Sequence, residues 1–257
     1  MWTSSPSRSG LLGALLIATQ IGPSTLAADW RGQEANQAVP RIVEDAAKQG
    51  TLKQFANELA AAGVPVGIII GAESRELRRG WQRTAEGGAT ESISLNDAVQ
   101  AFRARHGRYA LARVGSVVRI EPFEKHPCAT AAERRVGPFA ASGSALDVAY
   151  WAFGHSTGKF GRDEPRPGIV SSGSVSVVAY RALVSVDLPG GSLADMLDAI
   201  VAQAPGLGWA IQELRDPPPS WANPPPKMLC QVLLFSGDSW SQGGWYIDPA
   251  RSQSPER

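Results

Sequence analysis

The chain has 257 residues, 43% of them apolar and 19% charged, with 25 Lys and Arg against 24 Asp and Glu for a formal net charge of +1. So even a balance argues against the concentrated basic face that phosphate-backbone binding needs. The Arg-rich spots at Arg75, Arg78 and Arg79 and at Arg134 and Arg135 are interleaved with Glu76, Glu86 and Glu133, so no nucleic-acid partner is expected.

At the N-terminus, Arg8 precedes an apolar run from Leu11 to Ile17. That run is shorter than the roughly 20 residues of a membrane span. Gly22-Pro23 then breaks the helix, and Thr25 and Ala27 place small residues where a signal peptidase reads −3 and −1. A signal peptide over 1–27 is expected, cut after Ala27 or Ala28, and with it a periplasmic or secreted location. Loss of Arg8 leaves 24 basic against 24 acidic side chains. No later segment reaches membrane-helix length, so no membrane span is expected.

Residues 28–50 read as a leader helix or arm opened by Pro40, with little apolar surface in Ile42 and Val43. Thr51-Leu52-Lys53-Gln54 has the form of a capping box, and Leu52, Phe55 and Leu59 fall on one helical face. Val64 to Ile70 is a β-branched run of the buried-strand type. Ser94-Leu95-Asn96-Asp97 opens a helix whose apolar face is Leu95, Ala98, Val99 and Phe102. Tyr109 to Val114 and Val117 to Glu121 read as strands joined by the two-residue loop Gly115-Ser116, a hairpin whose leading Gly suits positive φ.

A Pro-bounded linker, 122–143, carries Pro122, Pro127 and Pro138. Ser144 to Asp147 then caps a helix bearing Leu146, Ala149, Tyr150 and Phe153, and Val175 to Tyr180 and Leu183 to Val186 read as strands. Ser192 to Asp195 caps a further helix with Leu193, Met196, Leu197, Ile200 and Val201 inside, followed by a strand from Trp209 to Leu214. Pro217 to Pro226 is a polyproline-like insertion before a last strand, Met228 to Phe235, and 236–257 reads as a flexible tail.

The helices beginning at Ser94 and Ser192 match in cap, apolar spacing, terminating Gly and following strand, which predicts an internal repeat of roughly 95 residues. The expected fold class is therefore α+β, as two repeated small modules, 51–121 and 144–235, each with a short sheet packed on amphipathic helices. Thr51 to Glu121, through its first helix and strand, the phrase Ile93-Ser94-Leu95-Asn96-Asp97-Ala98-Val99 and the strand pair, resembles the short N-terminal (STN-like) domain of secretins and TonB-dependent receptors. Residues 144–235 look like a divergent second copy. The resemblance implies a docking role towards an envelope protein, such as a secretin, a TonB-system component or another outer-membrane component, and carries no catalytic residue; no secretin or receptor barrel follows.

Chemistry-bearing residues are few. His106, His126 and His155 lie in no Gly-x-Ser-x-Gly or His-Glu-x-x-His context and read as surface or capping groups, so no catalytic residue is assigned. His126-Pro127-Cys128 lacks a second ligand cluster, so neither metal nor cofactor is expected. Asp97, Asp147 and Asp195 each stand three residues after a Ser and read as caps. Gly154 to Lys159 lacks the spacing of a phosphate loop and reads as a helix C-terminal turn. Trp221 and Trp245 suit an exposed peptide or glycan surface, Trp151 and Trp209 ordinary packing. Cys128 and Cys230 form one disulfide or two separate buried thiols, with the disulfide preferred in an exported chain.

The function expected is a noncatalytic protein-interaction module that works by edge-strand addition, with Val117, Val118, Arg119, Ile120 and Glu121 as the binding strand. The alternative is an envelope enzyme or a glycan- or small-ligand-binding protein using a cleft between the modules.

Overall fold

A computed structural model describes residues 36–71, 91–158, 179, 181–215, 228–236, 239–240 and 245–249. The expected signal peptide, the Pro-rich insertion and Trp221 lie outside the described residues. The class is α+β, with mixed sheets packed against helices. None of the described helices is long and apolar enough to cross a membrane.

Strand β1 (Ala38–Pro40) leads directly into helix α1 (Arg41–Gln49), and α2 (Leu52–Ala61) follows. The Thr51 hydroxyl accepts from the Gln54 amide at 3.2 Å while the Gln54 side chain accepts from the Thr51 amide, so both halves of the capping box form. Strand β2 (Val66–Ile70) is buried at every residue. Next come β3 (Ser92–Ser94), α3 (Leu95–Arg105) and the hairpin β4 (Tyr109–Val114) with β5 (Val117–Pro122), turned at Gly115 with φ 59°. The linker carries structure of its own, α4 (Pro127–Ala132) and β6 (Arg135–Val136). Then follow β7 (Phe139–Ser144), α5 (Ala145–Thr157), β8 (Leu183–Leu188), β9 (Gly191–Ser192), α6 (Leu193–Val201), β10 (Leu207–Arg215) and β11 (Met228–Ser236), and finally β12 (Ser239–Trp240) and β13 (Trp245–Ile247).

One seven-stranded sheet organises the chain, in the order β12-β11-β10-β2-β5-β4, with β13 also on β11. Its centre is parallel, β10 to β2 to β5, and its flanks are antiparallel. Strands of both expected modules thus share a sheet, joined where Val66 to Ile70 pairs with Gly208 to Gln212. The sequence reading gave each module a short sheet of its own; the β-branched, fully buried β2 needs a partner on both sides, and β10 supplies the second. Three two-stranded ribbons, β1–β3, β6–β9 and β7–β8, accompany it.

Period-two alternation sorts the sheet's side chains into two faces. Val66, Ile68, Ile70, Leu111, Val118, Ile120, Ala210, Leu233 and Phe235 pack with α1, α2 and α3, where the rings of Phe55 and Phe102 stack at 4.6 Å. Ile69, Val117, Trp209, Ile211, Cys230, Val232 and Leu234 pack with α4, α5 and α6.

Several expectations change. The segment 28–50 is no loose arm over its described part: Val39, Val43 and Ala47 are fully buried, and α1 packs on α2 and α3. The tail from 236 contributes two strands to β11, with Ile247 buried. Of the expected strand Val175 to Tyr180, the one described residue, Ala179, is helical and packs in the core. The cap expectations hold: Ser94, Ser144 and Ser192 each accept, through the hydroxyl, the amide of the Asp three residues on.

Candidate functional site

Strand β5 is interior. Val66 to Ile68 of β2 pairs with Val118 to Ile120 on one side, and β4 pairs with the whole of β5 on the other. Val117, Val118 and Ile120 are 1%, 0% and 0% exposed. These residues cannot receive an added strand, because their backbone groups are already in the ladder. The alternation of β5 reads the same whether or not a strand lies beyond it, which is why the sequence did not distinguish it from its neighbour.

The edge belongs to β4, which among the described residues pairs only with β5. Its outward groups follow from the ladder. The Phe123 amide donates to the Arg108 carbonyl, so Arg108–Phe123 is a hydrogen-bonded pair; such pairs alternate, making Ala110–Glu121, Ala112–Arg119 and Val114–Val117 the further ones. Leu111 and Arg113 consequently direct both amide and carbonyl away from β5. Tyr109 directs its carbonyl outward, its amide being donated to the His106 carbonyl. Leu111 is buried against α3, which holds the strand in place, and Val114 is exposed at the turn.

Arg119 and Glu121, the charged members of the expected binding strand, turn towards α6. Arg119 Nε donates to Asp198 Oδ2 at 2.6 Å and Nη2 to Asp195 Oδ1 at 2.9 Å, and Trp209 Nε1 donates to Asp198 Oδ1 at 2.7 Å. A single row across the sheet, Trp209, Gly67 and Arg119, makes this convergence possible. A Cβ on Gly67 would stand 2.2 Å from the Trp209 ring, so glycine is what lets the indole lie across β2 to reach α6. Asp195 therefore does two things, completing the cap of α6 by accepting from the Ser192 amide and pairing with Arg119.

Burial fixes the electrostatics. Asp198, 6% exposed, has its carboxyl pushed up to about 6 by desolvation, against the lowering influence of Arg119 and the Trp209 N–H. Asp195 is held below the usual carboxylate range: desolvation, which acts upward, is outweighed by the hydrogen bonds from Ser192 and Arg119. Arg119 is raised, since Asp198 and Asp195 more than offset its burial, and Glu121 is raised chiefly by desolvation.

Nearby, Cys128 and Cys230 are joined as a disulfide with Cα atoms 5.5 Å apart, tying α4 to β11. His126 caps α4, its Nδ1 accepting the Cys128 amide at 3.2 Å, and its Nε2 lies 2.7 Å from Glu213 Oε2; Glu213 is the cross-strand neighbour of Cys230. His106 sits at the C-terminal cap of α3 stacked on Phe102. His155 lies in the last turn of α5, against Phe139. Of the Gly154 to Lys159 motif, residues 154–157 are the end of α5 and Gly158 is its left-handed cap at φ 65°, while Lys159 lies outside the described residues. Trp209 is fully buried, as expected; Trp245, read as an exposed surface group, packs on Tyr150 and Phe153, whereas Trp151, read as ordinary packing, is 40% exposed.

What sequence reading missed is therefore the Arg119–Asp198–Trp209 cluster and the assignment of the edge to β4. The one available signal was a run free of acids: residues 98–120 contain Arg103, Arg105, Arg108, Arg113 and Arg119 and no Asp or Glu. No protein-family model, curated protein or solved structure matches the chain.

Proposed function

We propose that the protein is an exported, noncatalytic docking module that binds another envelope protein by receiving an extended segment of it as an added strand beside β4. The observation that carries this reading is the place of β4 at the end of the sheet order, where among the described residues it pairs with β5 alone and Leu111 anchors it in the core. Export is supported by the N-terminal sequence pattern and by the Cys128–Cys230 disulfide, which suits an oxidising compartment. A secretin, a TonB-system component or another outer-membrane protein is the partner class favoured by the resemblance of Thr51 to Glu121 to STN-like domains. The buried acids support a structural rather than a chemical role: Asp198 is engaged by Arg119 and Trp209, and Glu213 by His126.

The test is capture of an envelope protein by the exported chain and by two variants at one edge position. Arg113→Ala keeps the outward amide and retains capture. Arg113→Pro removes that amide where an edge strand tolerates proline, and loses capture with its melting temperature within a few degrees of the parent. Equal capture by a folded Arg113→Pro protein would remove β4 from the interface.

A further inference from the structure

We infer that two copies of the chain pair edge to edge through β7, forming a continuous sheet β8-β7-β7-β8 across a two-fold axis. The inference goes beyond the docking reading and uses a different edge. The Ala145 amide donates to the Ala182 carbonyl at 2.8 Å, so Ala145–Ala182 is a hydrogen-bonded pair; in the same register Gly143–Val184, Ala141–Val186 and Phe139–Leu188 are the next ones. Ser185 on β8 and Ala140, Ser142 and Ser144 on β7 therefore direct their backbone groups away from the ribbon. On β8 that edge is closed: the Gln203 side chain accepts from the Ser185 amide at 3.1 Å and donates to the Ser185 carbonyl at 2.9 Å, as a neighbouring strand would. On β7 it is open. Among the described residues β7 pairs with β8 alone, Ala140 and Ser142 are exposed, and Gly143, which is all backbone, is partly exposed too.

A second copy is the occupant this edge fits. From Phe139 to Ser144 the sequence Phe-Ala-Ala-Ser-Gly-Ser holds no charge and no proline, the features that keep like edges apart, and Pro138 ends the stretch. An axis at Ser142, the middle of the three outward residues, sets Ser142 opposite the partner's Ser142 and Ala140 opposite the partner's Ser144, outward group against outward group. The exposed flank of α5 obeys the same symmetry. A Cβ on Gly143 would stand 3.8 Å from the Trp151 ring and 3.9 Å from Asp147, and His155 lies against Phe139, so this flank runs along β7. Turned about the axis, it brings exposed Trp151 towards the partner's Trp151, and the acid end of one helix towards the histidine end of the other. Asp147 keeps its bond from the Ser144 hydroxyl throughout.

The experiment is sedimentation equilibrium of the intact, disulfide-bonded chain over about 1 to 200 µM, with two charged variants at the axis, Ser142→Lys and Ser142→Glu. Ser142 is exposed, so both variants keep the parent's melting temperature. The parent reaches twice the protomer mass. Each variant alone sets like charges against each other and dimerises at least about tenfold more weakly. An equal mixture of the two regains the parent's affinity or exceeds it, because Lys then faces Glu, a result no misfolded variant could give. Raising salt from about 50 to about 500 mM narrows these differences. Arg113→Pro, altered at β4, dimerises as the parent does, which separates self-association from docking. A parent that stays monomeric at about 200 µM overturns the proposal, as does a Ser142→Lys protein that dimerises like the parent. Weak association of both variants that mixing does not restore overturns the two-fold axis at Ser142, and a dimer lost in Arg113→Pro overturns the proposal by moving the contact to β4.

Discussion

The two faces of the central sheet solve the same packing problem with different chemistry. On each, a glycine lies under an aromatic ring from the next strand: Gly208 beneath Phe235 on the α1–α3 side, where an added Cβ would meet the ring at 2.4 Å, and Gly67 beneath Trp209 on the α4–α6 side. The first ring is apolar and packs among apolar neighbours. The second carries an N–H, and satisfying it brings in Asp198, which in turn requires Arg119. One side is thus held by shape, the other by shape and a buried charge network whose members depend on one another. The edge strand β4 is attached to both, through Leu111 on the first side and through Ala112 beside Arg119 on the second.

The largest effects should come from breaking each side at its centre. Phe102→Ala on the apolar side costs about 4 kcal/mol from lost transfer energy plus the cavity it leaves. Arg119→Met costs about 3 kcal/mol or more, because Asp198 stays buried without its cation. The two respond differently to a second change. Adding Asp198→Asn to Arg119→Met recovers most of the loss, since an amide oxygen still accepts from Trp209, whereas no polar substitution rescues Phe102→Ala. Chemical denaturation of the parent, Phe102→Ala, Arg119→Met, Asp198→Asn and the double variant checks this, and additive losses in the Arg119/Asp198 pair would deny the coupling.

A smaller pair of changes compares the glycines. Gly208→Ala and Gly67→Ala each cost about 2 kcal/mol by overpacking beneath a ring. Only Gly67→Ala should also alter the pH response, because it moves the indole away from Asp198 and so removes an influence that lowers its pKa.

The smallest effect separates the faces by titration. The folded-state pKa of Asp198, about 6, lies above the ordinary carboxylate value near 4, so the native state binds the proton more tightly than the unfolded chain does. Its contribution to stability is therefore complete below pH about 4 and is lost as pH rises through about 6. Asp195 works in the opposite sense: lowered in the fold, it contributes above the ordinary carboxylate value and loses that contribution as the solution becomes more acid. Melting temperatures across pH 4 to 7 should fall less steeply in Asp198→Asn than in the parent. An identical slope would mean that Asp198 is ionised without penalty.

What was legible in the sequence was local. The four Ser or Thr caps, the span Tyr109 to Val114 and the turn at Gly115 came directly from capping and turn chemistry, which act over a few residues. The disulfide was the preferred reading from cysteine count and compartment. Strand β7, Phe-Ala-Ala-Ser-Gly-Ser, has the composition of a loop and is a strand because β8 pairs with it. The site was hidden for a related reason. Arg119 and Asp198 are 79 residues apart, and they meet only because β2 lies between β5 and β10 with a glycine in the shared row. Edge and interior are properties of strand order, which periodicity in β5 does not encode.

The docking claim is tested most directly by amide hydrogen exchange at β4, followed residue by residue with and without the captured envelope protein. The bound partner should slow the Leu111 and Arg113 amides, which the ladder turns away from β5, and leave those of Ala110 and Ala112, which the β5 ladder already protects, as they were. Exchange of Leu111 and Arg113 unchanged by the bound partner would contradict the account.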